Sequence, residues 1–206
     1  MPDLAEHRSR AAAADALGFR TIWLRDVPLW LPRTFGDAGL GFDPIAYLDY
    51  LAAATEKALL GTAAIVLPLR NPILPAKEAA TIDALSGGRL LLGVASGDGP
   101  IEYPLFGVDF DTRAETYRRA AQAMRGIWED APMAPDSQDK VLPAPVDGII
   151  PLIAVGRGGQ STEWAAEHMD AITTTLVGSA SGGGRLRSCR DAPRERHQRV
   201  TAQPRA

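Results

Sequence analysis

Two turns rich in glycine and serine follow apolar runs of the chain and could hold a phosphate group. The first is Ser96-Gly97-Asp98, and the second is Gly156-Arg157-Gly158-Gly159, which precedes a helix predicted over Ser161–His168. Glycine lets a backbone approach an anion closely, and the first turn of a helix presents free N–H groups to it. The Arg157 guanidinium would add a charge-assisted donor. The same turns can also be ordinary loops, in which glycine serves only the backbone dihedral angles.

A stripe of small side chains lies in the middle of a buried apolar run. Thr62, Ala63 and Ala64 open this run, which stops at Pro68. Small side chains on one face of a strand leave room for a flat ring system or for a closely packed helix. The residues alone leave both interpretations open.

Three further polar side chains fall near predicted strand ends. Asp26 can face a cofactor or pair with Arg25, and Glu102 and Tyr103 can line a pocket or anchor their own loop. His168 ends a predicted helix, where the helix dipole favours a cation. Each of these residues therefore has a structural interpretation beside the functional one.

Several classes of site are disfavoured by the sequence. No G-x-G-x-x-G follows a predicted strand and no G-x-x-x-x-G-K-[ST] occurs, which argues against a Rossmann dinucleotide site and a P-loop. There is no G-x-S-x-G nucleophile elbow. The single cysteine, Cys189, rules out an internal disulfide and a cysteine-based metal site, and the three histidines lack ligand-like spacing. We therefore expect no metal.

The composition predicts a globular domain followed by a basic tail. The chain has 206 residues, 46% of them hydrophobic, and its net charge of −3 does not suggest nucleic-acid binding. Residues 178–206 hold seven arginines against two acidic residues, so we expect a disordered tail rather than a basic arm for an anionic partner. No apolar run approaches ~20 residues and no signal core is present, so we expect a cytoplasmic protein without a membrane segment.

Helices and buried strands alternate along the chain. Apolar periodicity and capping residues predict helices over 3–17, from Asp43-Pro44 onward, from Asn71-Pro72 to a stop at Gly87, over 113–129 and over 161–168. Continuous apolar runs predict strands over 21–24, 62–67, 89–94, 151–155 and 171–177.

This alternation predicts an α/β fold with a parallel sheet and right-handed crossovers. A doubly wound open sheet and a (β/α)8 barrel of the TIM type both fit. A barrel usually takes ~250 residues. Because this chain starts on a helix and shows about five strand–helix units, we expect a barrel that is incomplete at both ends. In either architecture, function collects in the loops that follow the strands.

Five motifs in register resemble the bacterial luciferase-like flavin-dependent monooxygenase family. They cover roughly residues 3–177 and are Leu17-Gly-Phe-x-Thr-Ile-Trp23, Gly61-Thr-Ala-Ala-Ile-Val-Leu-Pro68, Asn71-Pro72, Leu85-Ser-Gly-Gly-Arg89 and Ser161-Thr-Glu-Trp-Ala-Ala-Glu167. The resemblance implies a partial barrel domain over residues 1–177, with the tail 178–206 outside it.

The resemblance also implies a flavin across the carboxyl ends of the strands. The flavin ring would lie against Ala63 and Ala64, which a non-proline cis peptide would join, and Ala95 would face the reactive carbon. The phosphate would contact the two glycine-containing turns. The implied cofactor-binding residues are Ala63, Ala64, Ala95, Ser96, Gly97, Arg157, Gly158, Gly159 and Ser161.

The activity that the resemblance implies is that of an oxidoreductase. Reduced FMN, supplied by a separate flavin reductase, would react with oxygen and oxygenate a small organic substrate. Related members use the deazaflavin F420 for hydride transfer, and self-association is a further expectation. We assign no catalytic residue from the sequence.

The chain also departs from the family pattern. Light-emitting members carry a catalytic histidine where this chain has Val27 and a reactive cysteine where it has Ala95, so light emission is not expected. The family's phosphate-binding arginine near Ser96 is absent, and we expect its first and last strands and its mobile lid to be missing as well. Two alternatives therefore remain, a truncated non-catalytic remnant and a doubly wound nucleotide-binding domain.

Overall fold

The computed structural model describes residues 3–29, 41–129 and 139–173, which alternate between helices and parallel strands. The helices are α1 Leu4–Ala16, α2 Pro44–Ala52, α3 Ile73–Ser86, α4 Arg113–Trp128 and α5 Thr162–His168. The strands are β1 Thr21–Leu24, β2 Leu59–Thr62, β3 Ile65–Val66, β4 Leu90–Ala95, β5 Leu152–Val155 and β6 Ala171–Thr173. Short 3₁₀ turns lie at Leu67–Leu69, Tyr103–Phe106 and Phe110–Thr112.

The helix ends follow from capping residues that the sequence shows. The Asp3 carboxylate accepts hydrogen bonds from Ala5 N and Glu6 N at the start of α1, and Asp43 does the same for Ile45 N and Ala46 N in α2. These bonds satisfy backbone donors that the first helical turn leaves unpaired. At the other end of α3, Gly87 adopts φ 69°, a left-handed cap that glycine takes without steric cost.

All strand pairs in the described sheet are parallel, and their order follows the chain. The order is β1-β2-β4-β5-β6, while β3 continues beyond β2 and pairs with β4. A doubly wound sheet reverses its strand order at a switch point, and no such reversal occurs among these strands. The doubly wound alternative is therefore wrong, and the described residues form part of a (β/α)8-type barrel.

One face of the sheet packs against the helices. Leu60, Leu92 and Leu152 on this face are fully buried in a single cluster with residues of α2, α3 and α4. Because side chains alternate along a strand, Trp23, Leu91 and Ala95 point toward the opposite face. That face corresponds to the interior of a barrel, and Trp23 remains 44% exposed there.

Arg89 joins three elements below the sheet. Its guanidinium donates to the carbonyl oxygens of Ala52, Thr55 and Ala58, and its Nε donates to Ser86 O at 2.7 Å. The last residue of the Leu85-Ser-Gly-Gly-Arg89 motif thus satisfies carbonyl groups at the end of α2 and before β2. Because Arg89 has this structural role, the match of this motif to the family is evidence for the fold.

The predicted elements agree with the structure in order and type, with one clear shift in position. The strand predicted over 62–67 starts earlier, at Leu59, and is interrupted at Ala63-Ala64. The predicted loop over 29–42 and the excursion over 131–150 are described only in part. The tail 178–206 and the predicted domain boundary after 177 lie outside the described residues. No helix within the described ranges combines the length and apolar character needed to cross a bilayer.

Candidate functional site

The predicted cofactor-binding residues lie at the carboxyl ends of neighbouring strands. Ala63 and Ala64 link β2 to β3, and Ala95 ends β4 directly before Ser96 and Gly97. In the β3–β4 register, Val66 is the partner of Ala95. The glycine turn follows β5, which is the next strand in the sheet. The fold therefore brings the predicted residues to the same end of the sheet, where the carboxyl ends of its strands lie.

The peptide bond between Ala63 and Ala64 is cis, as the resemblance predicts. Ala63 N donates to Leu24 O at 2.6 Å, and the Thr62 hydroxyl donates to Gly93 O at 2.7 Å. These bonds hold the segment against β1 on one side and against β4 on the other.

The strand ends are more accessible than the residues that precede them. Thr62 and Val94 are fully buried, whereas Ala63 and Ala95, each one residue further along, are only half-buried. Ser96 is half-buried as well. The accessible surface at the ends of β2 and β4 is thus formed by small side chains.

The loop after β4 is anchored by Tyr103. This side chain is fully buried, its hydroxyl donates to Ser96 O, and its ring meets Phe110 edge-on at 5.1 Å between centroids. Of the two interpretations of Tyr103, the structure supports the anchor. Gly97 has φ 71°, and a Cβ there would lie 2.8 Å from Val66 Cγ1, so this position requires glycine.

The glycines after β5 have a structural reason as well. A Cβ on Gly158 would lie 2.7 Å from the Tyr117 ring, and a Cβ on Gly159 would lie 2.8 Å from Ala114 Cβ. Gln160 Nε2 donates to Gly158 O at 3.0 Å and to Ala114 O at 2.7 Å. The turn therefore packs tightly on α4, and its role in phosphate binding stays a prediction.

Arg157 and Ser161, the two polar side chains predicted to bind a phosphate near α5, are not equally available to an anion. Arg157 is exposed and forms no ion pair with any residue in the described ranges. Ser161 is already engaged, because its hydroxyl oxygen accepts from Trp164 N at 3.1 Å at the start of α5. The backbone N–H of Glu163 and the Ser161 hydroxyl also lower the pKa of the Glu163 carboxyl. Arg157 is thus the freer of the two for an anion.

Together these residues fit a flat group with an anionic end. The small half-buried side chains at the ends of β2 and β4 form a surface that we call the floor of the candidate site. The exposed Arg157 guanidinium lies past the end of β5, the strand beside β4, and would supply the positive charge. This chemistry is what a flavin with a phosphate tail requires.

A polar cluster of which the sequence indicated only Asp26 lies beside this floor. Arg70 Nη2 contacts both carboxylate oxygens of Asp26, at 3.1 and 3.2 Å, and also Asp43 Oδ2 at 3.2 Å. These side chains and Glu78 line a cleft of ≈ 530 Å³, with Phe42, Leu74 and Phe106 among its apolar walls. A signal for Arg70 was present, because it is a charged residue just after the apolar run that ends at Leu67-Pro68.

Two carboxyl groups near this cluster bind protons more tightly than usual. Burial is the main cause of the raised pKa of Glu78. Arg70 opposes this effect, and the carboxylates of Asp43, Asp26 and Asp49 add to it. One carboxyl oxygen of Glu78 is buried and has no hydrogen-bond partner among the residues that the structure describes. The pKa of Glu102 is raised by burial first and then by Asp98 and Asp26.

His168 ends α5, as predicted, and its ring stacks on Trp164 with 4.6 Å between centroids. Its Nδ1 lies 3.0 Å from Trp164 O. These contacts agree with the structural interpretation of this residue.

Parallel strands in chain order, with the candidate residues gathered at their carboxyl ends, define a barrel-type α/β protein with its site at the top of the sheet. The luciferase-like monooxygenase family model matches residues 1–204. The chain therefore belongs to the luciferase-like monooxygenase family.

Curated relatives agree with this assignment. An alkanal monooxygenase alpha chain of Photorhabdus luminescens is 32% identical over 162 residues, which cover 75% of this chain and 43% of the relative. An uncharacterised protein of Mycobacterium tuberculosis is 31% identical over 186 residues, covering 80% of this chain and 66% of that protein.

Solved structures show the same fold. An F420-dependent secondary alcohol dehydrogenase in complex with an F420–acetone adduct superposes with a TM-score of 0.70 at 23% identity, over 84% of this chain and 54% of that one. The oxygenating constituent of 3,6-diketocamphane monooxygenase from Pseudomonas putida, in complex with FMN, gives 0.65 at 17% identity, over 82% and 51%. The chain thus spans about half the length of these proteins.

Proposed function

We propose that this chain is a flavin-dependent oxidoreductase that uses reduced FMN and oxygen on a small organic substrate. The observation that carries the proposal is the floor of small side chains, Ala63, Ala64 and Ala95, at the carboxyl ends of β2 and β4. Membership of the luciferase-like monooxygenase family supports it.

In this proposal the protein holds and orients the cofactor. Reduced flavin, when bound, supplies the electrons that activate oxygen. The ring would rest on Ala63, Ala64 and Ala95, and the phosphate would meet Ser96, Gly97, Arg157, the glycines at 158 and 159, and Ser161. Since Ser161 caps α5, its contribution would be smaller than that of Arg157.

The cleft beside Asp26 is the place we propose for the small organic substrate. It is adjacent to the floor, because Asp26 lines the cleft and also accepts a hydrogen bond from Val66 N in β3. Its wall combines apolar side chains with the charged groups of Asp26, Arg70 and Glu78. A separate reductase as the source of reduced flavin, self-association and a cytoplasmic location complete the proposal.

F420-dependent hydride transfer is the second candidate. The superposition on an F420-dependent alcohol dehydrogenase, at a TM-score of 0.70, favours it. A non-catalytic remnant is the third, since the aligned region covers 43% of the Photorhabdus relative.

Titration of the purified full chain with FMN and with F420 tests these candidates. Cofactor fluorescence reports binding of each. We expect saturable binding of FMN that is tighter than binding of F420. Tighter binding of F420 would select hydride transfer, and binding of neither would reject both activities in favour of the remnant.

A further inference from the structure

The Asp26 side chain lies just beyond the end of β1. The neighbouring segment of the chain continues there from β2 into β3. The β1–β2 ladder reaches Leu24 and Thr62, and Ala63 N still donates to Leu24 O. Beyond the cis peptide, Val66 N donates instead to Asp26 Oδ2 at 3.1 Å. The carboxylate thus takes the place of a strand carbonyl on the β1 side of β3.

The charge of Asp26 is balanced inside the protein. Its side chain is 2% exposed, and both of its oxygens contact Arg70 Nη2. Burial opposes the charge on Arg70, but Asp26 and Asp43 outweigh it and raise the pKa of the guanidinium. A buried carboxylate without such a partner would be costly. Arg70 therefore compensates the buried Asp26 carboxylate and fixes its orientation.

The segment from Ala63 to Val66 is held at separate points. Thr62 Oγ1 and Ala63 N fix its start, through Gly93 O and Leu24 O. On the β1 side, Asp26 fixes its end. Loss of Asp26 would therefore leave Val66 N without its acceptor on the β1 side, while the β3–β4 pairing and the contacts at the start of the segment remain.

We propose that Asp26 is a positioning residue for the flavin site, which holds the Ala63–Ala64 segment in place through Val66 N while Arg70 holds Asp26. This inference rests on the proposed function, because it takes the Ala63–Ala64 segment as part of the flavin floor. Asp26 acts through the backbone of β3, and we assign it no contact with the cofactor.

Asp26→Asn and Asp26→Ala test the proposal, with Asp3→Asn as the matched control. Asparagine at 26 keeps an oxygen for Val66 N and loses the charge, whereas alanine removes both. Asp3 also accepts backbone N–H bonds, at the start of α1 and outside the cleft, and asparagine keeps a residue type that caps a helix.

The first readout needs no cofactor. Amide hydrogen exchange in the full chain is followed at Val66, with Leu92 in the core of β4 as the internal reference. We expect exchange at Val66 about tenfold faster in Asp26→Ala, as loss of a charge-assisted hydrogen bond predicts, with Leu92 unchanged. Unchanged exchange at Val66 would overturn the proposal. Should Asp26→Ala not fold, Asp26→Asn carries the test, with a smaller acceleration at Val66 expected because the bond loses its charge assistance.

The second readout is the bound cofactor. We expect Asp26→Ala to weaken FMN binding about tenfold. We also expect Asp26→Asn to shift the visible absorption band of FMN at saturation, which a loss of stability alone would not do. Asp3→Asn should match the wild type in both. Faster exchange at Val66 with unchanged FMN affinity would overturn the inference, whereas failure of the wild type to bind flavin would overturn the proposed function.

Discussion

The close approach of β2 to β4 requires a glycine at position 93. A Cβ at this position would lie 1.8 Å from Thr62 O, a backbone atom that cannot move aside without breaking the β2–β4 pairing. The carbonyl oxygen of Gly93 also accepts a hydrogen bond from the Thr62 hydroxyl. Gly93 therefore allows the close approach that places Ala63 beside β4.

We expect Gly93→Ala to destabilise the protein by about 3 kcal/mol, because it forces a side-chain carbon into the backbone of the next strand. Chemical denaturation of the full chain measures this change. Gly41→Ala is the control, since a Cβ at Gly41 meets no atom of the described residues within 4 Å. A Gly93→Ala variant within about 0.5 kcal/mol of the wild type would contradict the geometry described for this strand pair.

The candidate residues were predictable from the sequence to different degrees. The resemblance to the family was enough to predict the cis bond at Ala63–Ala64. The glycines at 158 and 159 fit two interpretations, and their contacts with Tyr117 and Ala114 depend on how α4 packs, which no local pattern shows. The pairing of Asp26 with Arg70 joins positions 44 residues apart and depends on the folded chain.

At the scale of elements, Asp15 links α1 to the start of β2. Its carboxylate accepts from Glu56 N at 2.9 Å, Lys57 N at 3.0 Å and Ala58 N at 2.5 Å. A negative charge in the last turn of a helix opposes the helix dipole. The three backbone donors explain why an aspartate is nevertheless found there.

The backbone N–H groups of Glu56 and Ala58 lower the pKa of Asp15 below its ordinary value of 3.8. A carboxyl whose pKa is lower in the folded state stabilises the fold above its unfolded pKa, and this contribution is lost as the pH falls. We expect Asp15→Asn to lower the melting temperature at pH 7, with a difference from the wild type that shrinks below about pH 4.

Thermal melts of both proteins across pH 3 to 7 measure this effect. Asp147→Asn serves as the control, because Asp147 is exposed and its side chain makes no hydrogen bond with the described residues. An Asp15→Asn melting temperature equal to that of the wild type at pH 7 would show that the three bonds do not hold the elements together.

The shift of β2 shows what local patterns miss at this scale. The apolar run over 62–67 predicts a strand, and Gly61 looks like the turn before it. In the structure Gly61 lies inside β2, where a Cβ would lie 2.3 Å from the Trp23 ring. Helix positions were predictable because caps and periodicity are local, whereas this glycine serves a contact with another strand.

At the scale of the whole molecule, helices cover one face of the described sheet, and the opposite face carries the barrel interior. Trp23, on that interior face, is 44% exposed. The sequence left two architectures open, a doubly wound sheet and a (β/α)8 barrel. The strands lie side by side in chain order, which selects the barrel. The proposed function depends on a flavin ring that lies over the carboxyl ends of β2 and β4.

FMN titration of the full chain, as wild type, Ala95→Trp and Leu85→Trp, tests that claim most directly. Ala95→Trp fills the floor, while Leu85→Trp places the same side chain on α3, where Leu85 is 66% exposed. A thermal melt of each variant checks that it is folded. We predict that Ala95→Trp weakens FMN binding at least about tenfold and that Leu85→Trp leaves it unchanged. Folded Ala95→Trp protein that binds FMN as tightly as the wild type would contradict the account.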